Sequence, residues 1–265
     1  MPLKSLKYTF DYCKTNLLGF TIILILLFSI NYLNENADYY SMKYQILFIA
    51  IASLITIFIY GYGMVITKDI IKRGEKLPKI KIRECLIYGI KSFIIIVVYS
   101  GIQTFLLIDL AKRFYFPQFD LKQALLNIPE TLKLFYVDNP LISIEFIVFS
   151  LMITYIFIFF MEISLARLAD GGKLRESFNI LKIKRCIDTI GWKKYTLDYT
   201  RLLISITILA YLQHGINFFG TFDYIISTII SLLIFIIEYI GIGAIYKEYK
   251  IKKYSELSRP ARRRV

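Results

Sequence analysis

Long runs of apolar residues, separated by shorter polar and basic segments, are the main pattern along this chain. A bilayer has a hydrocarbon core about 30 Å thick, which a helix of about 20 apolar residues crosses. The runs therefore predict six transmembrane helices, at about residues 17–33, 44–66, 86–110, 141–161, 202–219 and 224–246. Strands are not expected, because a lone sheet in lipid leaves its edge amides without partners and the alternation typical of a barrel is absent.

The polar segments between the runs are too short to fold separately. We therefore predict one integral membrane domain over residues 1–250, followed by a basic cytoplasmic tail over 251–265. The first run is expected to stay as a helix rather than act as a cleaved signal peptide, because Asn34, Glu35 and Asn36 follow it instead of a small-residue cleavage site. The composition agrees, with 57% hydrophobic residues and a mean hydropathy of +0.57.

Lysine and arginine are distributed unevenly between the two sides of the predicted bundle. Alternate connections and both ends of the chain hold 27 of them, the other connections hold five, and Lys91 lies inside the third run. This bias predicts a multi-pass protein of the cell membrane with both termini in the cytoplasm. The same bias accounts for the net charge of +13, so a nucleic-acid partner is not needed to explain it and none is expected. The expected partner is the lipid bilayer, through anionic headgroups at the basic segments, while a protein partner or homo-oligomer stays open.

The long basic connection after the fourth run predicts an amphipathic helix in the headgroup layer. The predicted fold class is therefore an all-α transmembrane bundle with amphipathic interfacial helices in its cytoplasmic loops. The opposite faces of the amphipathic helix would carry Leu174, Phe178 and Leu181 against Arg175, Lys182 and Arg185. A turn at 170–172, with the sequence Asp-Gly-Gly, would connect this helix to the preceding span. Two short helices are predicted within the outer connection 111–140.

Small residues occur near the ends of the second and sixth runs, namely Gly61, Gly63, Gly241 and Gly243. Small side chains let membrane helices approach closely, so we interpret these glycines as helix-packing positions. The alternative is a functional repeat, as in transporters with duplicated halves.

Polar side chains inside the predicted spans are candidates for function, because ionisable groups in lipid are costly. Glu238 lies deepest and could pair with Lys91 or tyrosines, or stay protonated. Lys91 lies near the cytoplasmic end of its run, where its stem can reach the headgroups. His214, the only histidine, follows Gln213 near the outer end of the fifth run, where interhelical or headgroup hydrogen bonding is expected.

Motifs for catalysis, metal binding or nucleotide binding are absent from the sequence. Cys13, Cys85 and Cys186 show neither paired nor metal-ligand spacing. We therefore predict no enzyme, no catalytic residue, no metal and no cofactor.

Three segments resemble a prokaryotic, largely archaeal membrane family catalogued as domain of unknown function 4013. The segment GYGMVITKDIIKRGEKLPKIKIRECLIYGIKSF contains the family's Gly-Glu-x-Leu-Pro core at residues 74–78, although KIKIREC replaces its acidic and aromatic stretch. The others are LARLADGGKLRESFNILKI with IGWKKY, and GIGAIYKEY. The resemblance, which covers about residues 8–249, implies an integral membrane protein and carries over no site residue, because the family has no assigned activity.

The leading hypothesis is a non-enzymatic membrane or scaffold component of unassigned molecular role. The alternative is a small transporter or a permease-like subunit with Glu238 and Lys91 near its pathway.

Overall fold

Helices account for all regular structure in the computed structural model, which describes residues 6–36, 42–115, 140–215 and 222–257. The predicted all-α class is therefore confirmed over these ranges. In chain order the helices are α1 (Leu6–Lys14), α2 (Leu17–Asn36), α3 (Met42–Lys72), α4 (Ile82–Leu110), α5 (Pro140–Ala169), α6 (Leu174–Ser177), α7 (Ile180–Ile190), α8 (Trp192–Gly215) and α9 (Phe222–Leu257). One π-helical turn, Ala111–Tyr115, continues α4.

Among the described residues, four helices are long and apolar enough to cross a membrane. These spans are Tyr44–Lys72, Ile82–Arg113, Leu141–Ala169 and Asp223–Ser255. They expose large apolar side chains such as Ile49, Phe105 and Leu151. Contiguous apolar surface of this kind favours lipid over water as its surroundings. The structure therefore indicates a membrane protein.

The helices extend beyond the predicted apolar runs into the basic segments. The helix predicted at 141–161 continues to Ala169, the one predicted at 224–246 continues to Leu257, and the one predicted at 202–219 begins at Trp192. Lysine, arginine and glutamate are good helix formers, and their charged ends can reach water beyond the lipid. Apolar run length therefore marks the lipid-facing part of each helix and not its ends. Most of the outer connection 111–140, with its two predicted short helices, lies outside the described residues.

The chain divides into two compact units, one formed by Met1–Phe93 with Ile163–Val265 and the other by Ile94–Glu162. We call them unit 1 and unit 2. In unit 2 the parts of α4 and α5 that belong to it are linked by a hydrogen bond from Gln103 Nε2 to Thr154 Oγ1, 2.9 Å long. Interhelical bonds of this type satisfy polar side chains in apolar surroundings.

Helices α3 and α9 pack against each other at the centre of unit 1. Thr67 Oγ1 donates a hydrogen bond of 3.0 Å to the carbonyl oxygen of Tyr239, and both residues are buried. The ring of Tyr239 lies directly over Gly63, where a Cβ atom would overlap it. A Cβ on Gly243 would lie 2.9 Å from Ile70 Cβ. Two of the predicted packing glycines therefore face this contact.

Helix α8 lies antiparallel to α9. Gln213 Nε2 donates to Ser227 Oγ at 2.8 Å and to Ser231 Oγ at 3.0 Å, so the interhelical hydrogen bonding expected near the end of the fifth run is present at Gln213. Nearer the start of α8, Leu202 faces α9, since a Cβ on Gly241 of α9 would lie 2.5 Å from Leu202 Cδ1. Residue numbers rise on α8 as they fall on α9, which fixes the antiparallel arrangement.

Glycines also permit α3 and α4 to approach backbone to backbone. A Cβ on Gly61 would overlap the carbonyl oxygen of Cys85, and a Cβ on Gly89 would overlap that of Ile57. Gly61 was named from the sequence, whereas Gly89 was not. The partner glycine was missed because its significance depends on which residues of α3 it faces.

We expect Gly61→Ala to lower the thermal stability of the purified protein, because the new methyl group collides with fixed backbone. Overpacking of this kind costs about 1–3 kcal/mol. The matched control is Gly101→Ala, since a Cβ at Gly101 meets no atom within 4 Å. Melting of both variants in detergent micelles tests the close approach, and a Gly61→Ala protein as stable as the control would contradict it.

Candidate functional site

The last turns of α9 contact three basic segments of unit 1. Lys247 Nζ donates to the carbonyl oxygen of Arg73 at 3.2 Å, after α3. Lys250 Nζ pairs with Asp170 Oδ1 at 2.6 Å, after α5. Lys252 Nζ donates a 2.6 Å hydrogen bond to the carbonyl oxygen of Ile190, the last residue of α7. We call this part of unit 1 the basic end.

A glycine turn directs the chain away from α5 at the basic end. The helix ends at Ala169, and Gly171 adopts a φ of +95°, which side chains disfavour. The amide of Gly172 then donates to the carbonyl oxygen of Arg167 at 3.0 Å. The turn predicted at 170–172 is confirmed.

The prediction of a single amphipathic helix after this turn is wrong, because the structure has two helices there, α6 and α7. Asn179 interrupts the pattern and caps α7, accepting a 3.0 Å hydrogen bond from the Lys182 amide on its side-chain oxygen. Asparagine is a preferred capping residue, so the signal was present in the sequence. The buried stripe of α7 consists of Ile183, Cys186, Ile187 and Ile190, which is out of phase with the predicted apolar face.

The end of α5, the turn, α6, α7 and α9 together line a pocket of about 700 Å³. We call it the basic pocket. Its five basic side chains are Arg167, Lys182, Arg185, Lys250 and Lys253. With two acidic residues in the lining, Asp170 and Glu176, the pocket has a net charge of +3.

The two carboxylates of the basic pocket are already paired. Asp170 binds Lys250 at 2.6 Å, and Glu176 Oε1 binds Lys182 Nζ at 2.8 Å. The hydrogen bond from Lys182 holds the pKa of Glu176 below its usual value, so Glu176 stays ionised at neutral pH. Arg185 and Lys253 form no ion pair with any residue that the structure describes.

Arg167 is the most enclosed cation of the pocket, with its side chain 11% exposed. Its Nη2 lies 3.7 Å from Glu176 Oε2, while Nη1 is buried and has no hydrogen-bond partner within the described ranges. A guanidinium stays charged in proteins, and buried donors normally have an acceptor. Nη1 is enclosed by protein, so Nη2, which forms only a long contact with Glu176, is the donor that Arg167 can offer to the pocket.

Aromatic rings form another part of the wall. The rings of Tyr246 and Tyr249 have centroids 5.2 Å apart, and Lys253 Nζ lies 5.6 Å from the centre of the Tyr249 ring. Cys186 also lines the pocket, and burial raises the pKa of its thiol. The site thus combines an excess of cations, tyrosine side chains and a thiol that stays protonated at neutral pH.

Helix α1, which the apolar pattern did not predict, and the residue Thr15 just after it bind the last turns of α3 and the segment that follows α3. Tyr12 Oη donates to Asp69 Oδ2 at 2.9 Å. Thr15 Oγ1 accepts from the Leu77 amide at 2.8 Å. This segment contains residues 74–78, the core of the family resemblance. The sequence gives no local signal for these contacts, because the partners are about sixty residues apart.

The ionisable residues named in the spans do not lie in the basic pocket. Glu238 is half-buried on α9 and interacts electrostatically with Tyr60, and Lys91 is half-buried on α4. Of the alternatives raised for Glu238, the ion pair with Lys91 is not present among the ion pairs of the described residues, whereas a tyrosine does lie near it. The backbone of His214 belongs to α8, but its side chain lies outside the described residues. Among those that are described, no group of histidine, cysteine, aspartate and glutamate side chains could hold a metal ion.

A family model described as protein of unknown function (DUF4013) matches residues 45–247, more than three quarters of the chain. The matched region contains α5 to α8 and the part of α9 that includes Tyr246. No curated protein and no solved structure matches the chain.

We expect Tyr12→Phe to destabilise the protein by about 1–2 kcal/mol, because Asp69 loses a hydrogen bond to a charged group. Burial and the Asp69 carboxylate both raise the pKa of Tyr12, so its hydroxyl remains a donor throughout the working pH range. Tyr211→Phe, at a residue 80% exposed, is the control. Equal melting temperatures for the two variants would argue against a stabilising role for α1.

Proposed function

The chain belongs to the DUF4013 family, and we propose that it is a non-enzymatic, multi-pass component of the cell membrane with both termini in the cytoplasm. The observation that carries this proposal is the convergence of basic segments at one end of unit 1. Lys247, Lys250 and Lys252 contact segments that follow α3, α5 and α7. Positive charge concentrates on the cytoplasmic side of membrane proteins, so the basic end is the inner end.

We count α2 and α8 as further spans, which makes six. Residues 194–213 of α8 lie antiparallel to α9, from the ion pair of Lys194 with Glu248 to the hydrogen bond of Gln213 with Ser227. At 1.5 Å per residue this shared length is about 28 Å, of which the apolar part from Leu202, beside Gly241, to Gln213, beside Ser227, is about 17 Å. Its apolar part follows a span, and this supports a second helix that crosses the membrane beside α9.

Helix α2 extends over a similar depth. Its 20 residues correspond to about 30 Å of helix. Asn31 Nδ2 donates to Thr228 Oγ1 near one end of α9, at 3.2 Å. At the other end of α2, a Cβ on Gly19 would lie 3.2 Å from the hydroxyl of Tyr62. Contacts at both ends support a sixth span beside α3 and α9.

The inner face is suited to anionic headgroups. Ile180 and Leu181 are 70% and 74% exposed at the start of α7, and Lys184 and Arg185 are exposed on the same helix. Trp192, at the start of α8, is half-exposed. Exposed apolar residues beside basic ones are typical of helices at a lipid surface, where each cation near anionic lipid contributes about 1 kcal/mol.

The non-enzymatic assignment rests on the residues of the basic pocket. Covalent catalysis needs a nucleophile beside a base that activates it. Cys186 is the thiol of the pocket, and burial keeps it protonated. Asp170 and Glu176 are each held by a lysine. A scaffold or lipid-contact role for a prokaryotic, archaeal-type family therefore fits this chemistry better than catalysis.

A small transporter or permease-like subunit is the second proposal. Glu238 favours it, because this half-buried carboxylate lies on a span without an ion pair to any described residue. Neither Glu238 nor Lys91 lines the basic pocket. The transporter ranks second because no geometry connects these residues with a route across the membrane.

Cysteine labelling tests the orientation. In a chain whose native cysteines are replaced by alanine, single cysteines at Asp38 and Gln118 should react with an impermeant maleimide on intact cells. Cysteines at Lys79 and Lys184, both exposed at the basic end, should react only after permeabilisation. The reverse pattern would place the basic end outside and refute the proposal.

A further inference from the structure

We propose that the basic pocket is a binding site for a phosphate monoester on an organic group. This inference concerns a ligand site and does not depend on the number of spans. It rests on the excess of cations, the Nη2 donor of Arg167 and the tyrosine rings.

The net positive charge of the pocket indicates a negatively charged ligand. Asp170 and Glu176 neutralise Lys250 and Lys182, which bind them at 2.6 and 2.8 Å. The other three cations, Arg167, Arg185 and Lys253, leave a net charge of +3. A phosphate monoester carries about −1.5 to −2 near neutral pH, which compensates most of this excess.

Arg167 sets the chemistry of the ligand. A guanidinium presents planar pairs of N–H donors that match the oxygens of a phosphate, and charge-assisted bonds of this type are among the strongest in proteins. Arg167 lines the pocket, and its Nη2 lies 3.7 Å from Glu176 Oε2, too far for a strong hydrogen bond. A phosphate oxygen in the pocket would accept a hydrogen bond from Nη2.

The size and walls of the pocket require more than inorganic phosphate. A volume of about 700 Å³ lies in the range typical of small-molecule sites. Tyr246, Tyr249 and Tyr254 supply ring faces and hydroxyl groups to the lining. These rings would contact the organic part of the ligand while the cations hold its phosphate. A soluble metabolite and a lipid headgroup could both provide this chemistry.

Calorimetry on the full-length protein in detergent tests the proposal with glycerol phosphate as the soluble probe. To test a lipid as the source, the protein is placed in nanodiscs that contain either phosphatidic acid or phosphatidylglycerol. The first lipid is a phosphate monoester and the second a diester, and the melting temperature of the protein is compared between them. We expect at least one of the two monoesters, glycerol phosphate or phosphatidic acid, to bind. The double variant Arg185→Gln, Lys253→Gln should weaken that binding about tenfold or more, since it removes two charged contacts.

Lys76→Gln is the matched control, because it removes the same charge from an exposed position in the segment after α3 that does not line the pocket. It should leave binding unchanged. Arg167→Lys keeps the charge but loses the paired donors, so it should also weaken binding. Melting temperatures verify that each variant is folded, and Lys253→Gln alone replaces the double variant if that one unfolds.

Each outcome decides the proposal. Binding of glycerol phosphate identifies a soluble ligand, and selective stabilisation by phosphatidic acid identifies a lipid headgroup. Absence of both responses would overturn the proposal. An equal loss in Lys76→Gln and in the pocket variants would also overturn it, because that result indicates a general electrostatic attraction without a site.

Discussion

The contact between apolar side chains and lipid is the interaction on which the structure depends. Spans α3, α4, α5 and α9 direct large apolar side chains outward, as at Ile49, Phe105 and Leu151. In water this surface would favour aggregation, whereas in a bilayer it is solvated by hydrocarbon. Because the lipid lies outside, helices of unit 1 associate mainly through van der Waals packing of buried side chains such as Met64 and Ile66. Close backbone approach at Gly61 and interhelical hydrogen bonds add to this packing.

Charge is separated from this apolar surface and collected at the basic end. Helices continue past the apolar runs, so their polar last turns extend beyond the lipid and contact one another. The ion pair of Lys250 with Asp170 joins residues eighty positions apart in the chain. The excess of positive charge to which we attribute the orientation is thus the same charge that forms the basic pocket. The proposed orientation and the proposed ligand site therefore share one physical basis.

Periodicity and run length predicted the helical class, the approximate places of α2, α3, α4, α5, α8 and α9, and the turn at 170–172. Local patterns could not predict that α1 binds the end of α3, since Tyr12 meets Asp69 only in the folded chain. Asn179 is a capping signal in the sequence, but the apolar residues on both sides of it also fit one continuous helix. The basic pocket was not foreseen either, because its walls come from helices that are remote in sequence.

Alkaline carbonate extraction of membranes that contain the full-length chain tests the central claim most directly. The apolar spans predict that the protein stays in the sedimented membranes and is released only by detergent. Recovery of the chain in the carbonate supernatant, followed by monodisperse behaviour in buffer without detergent or lipid, would contradict the account.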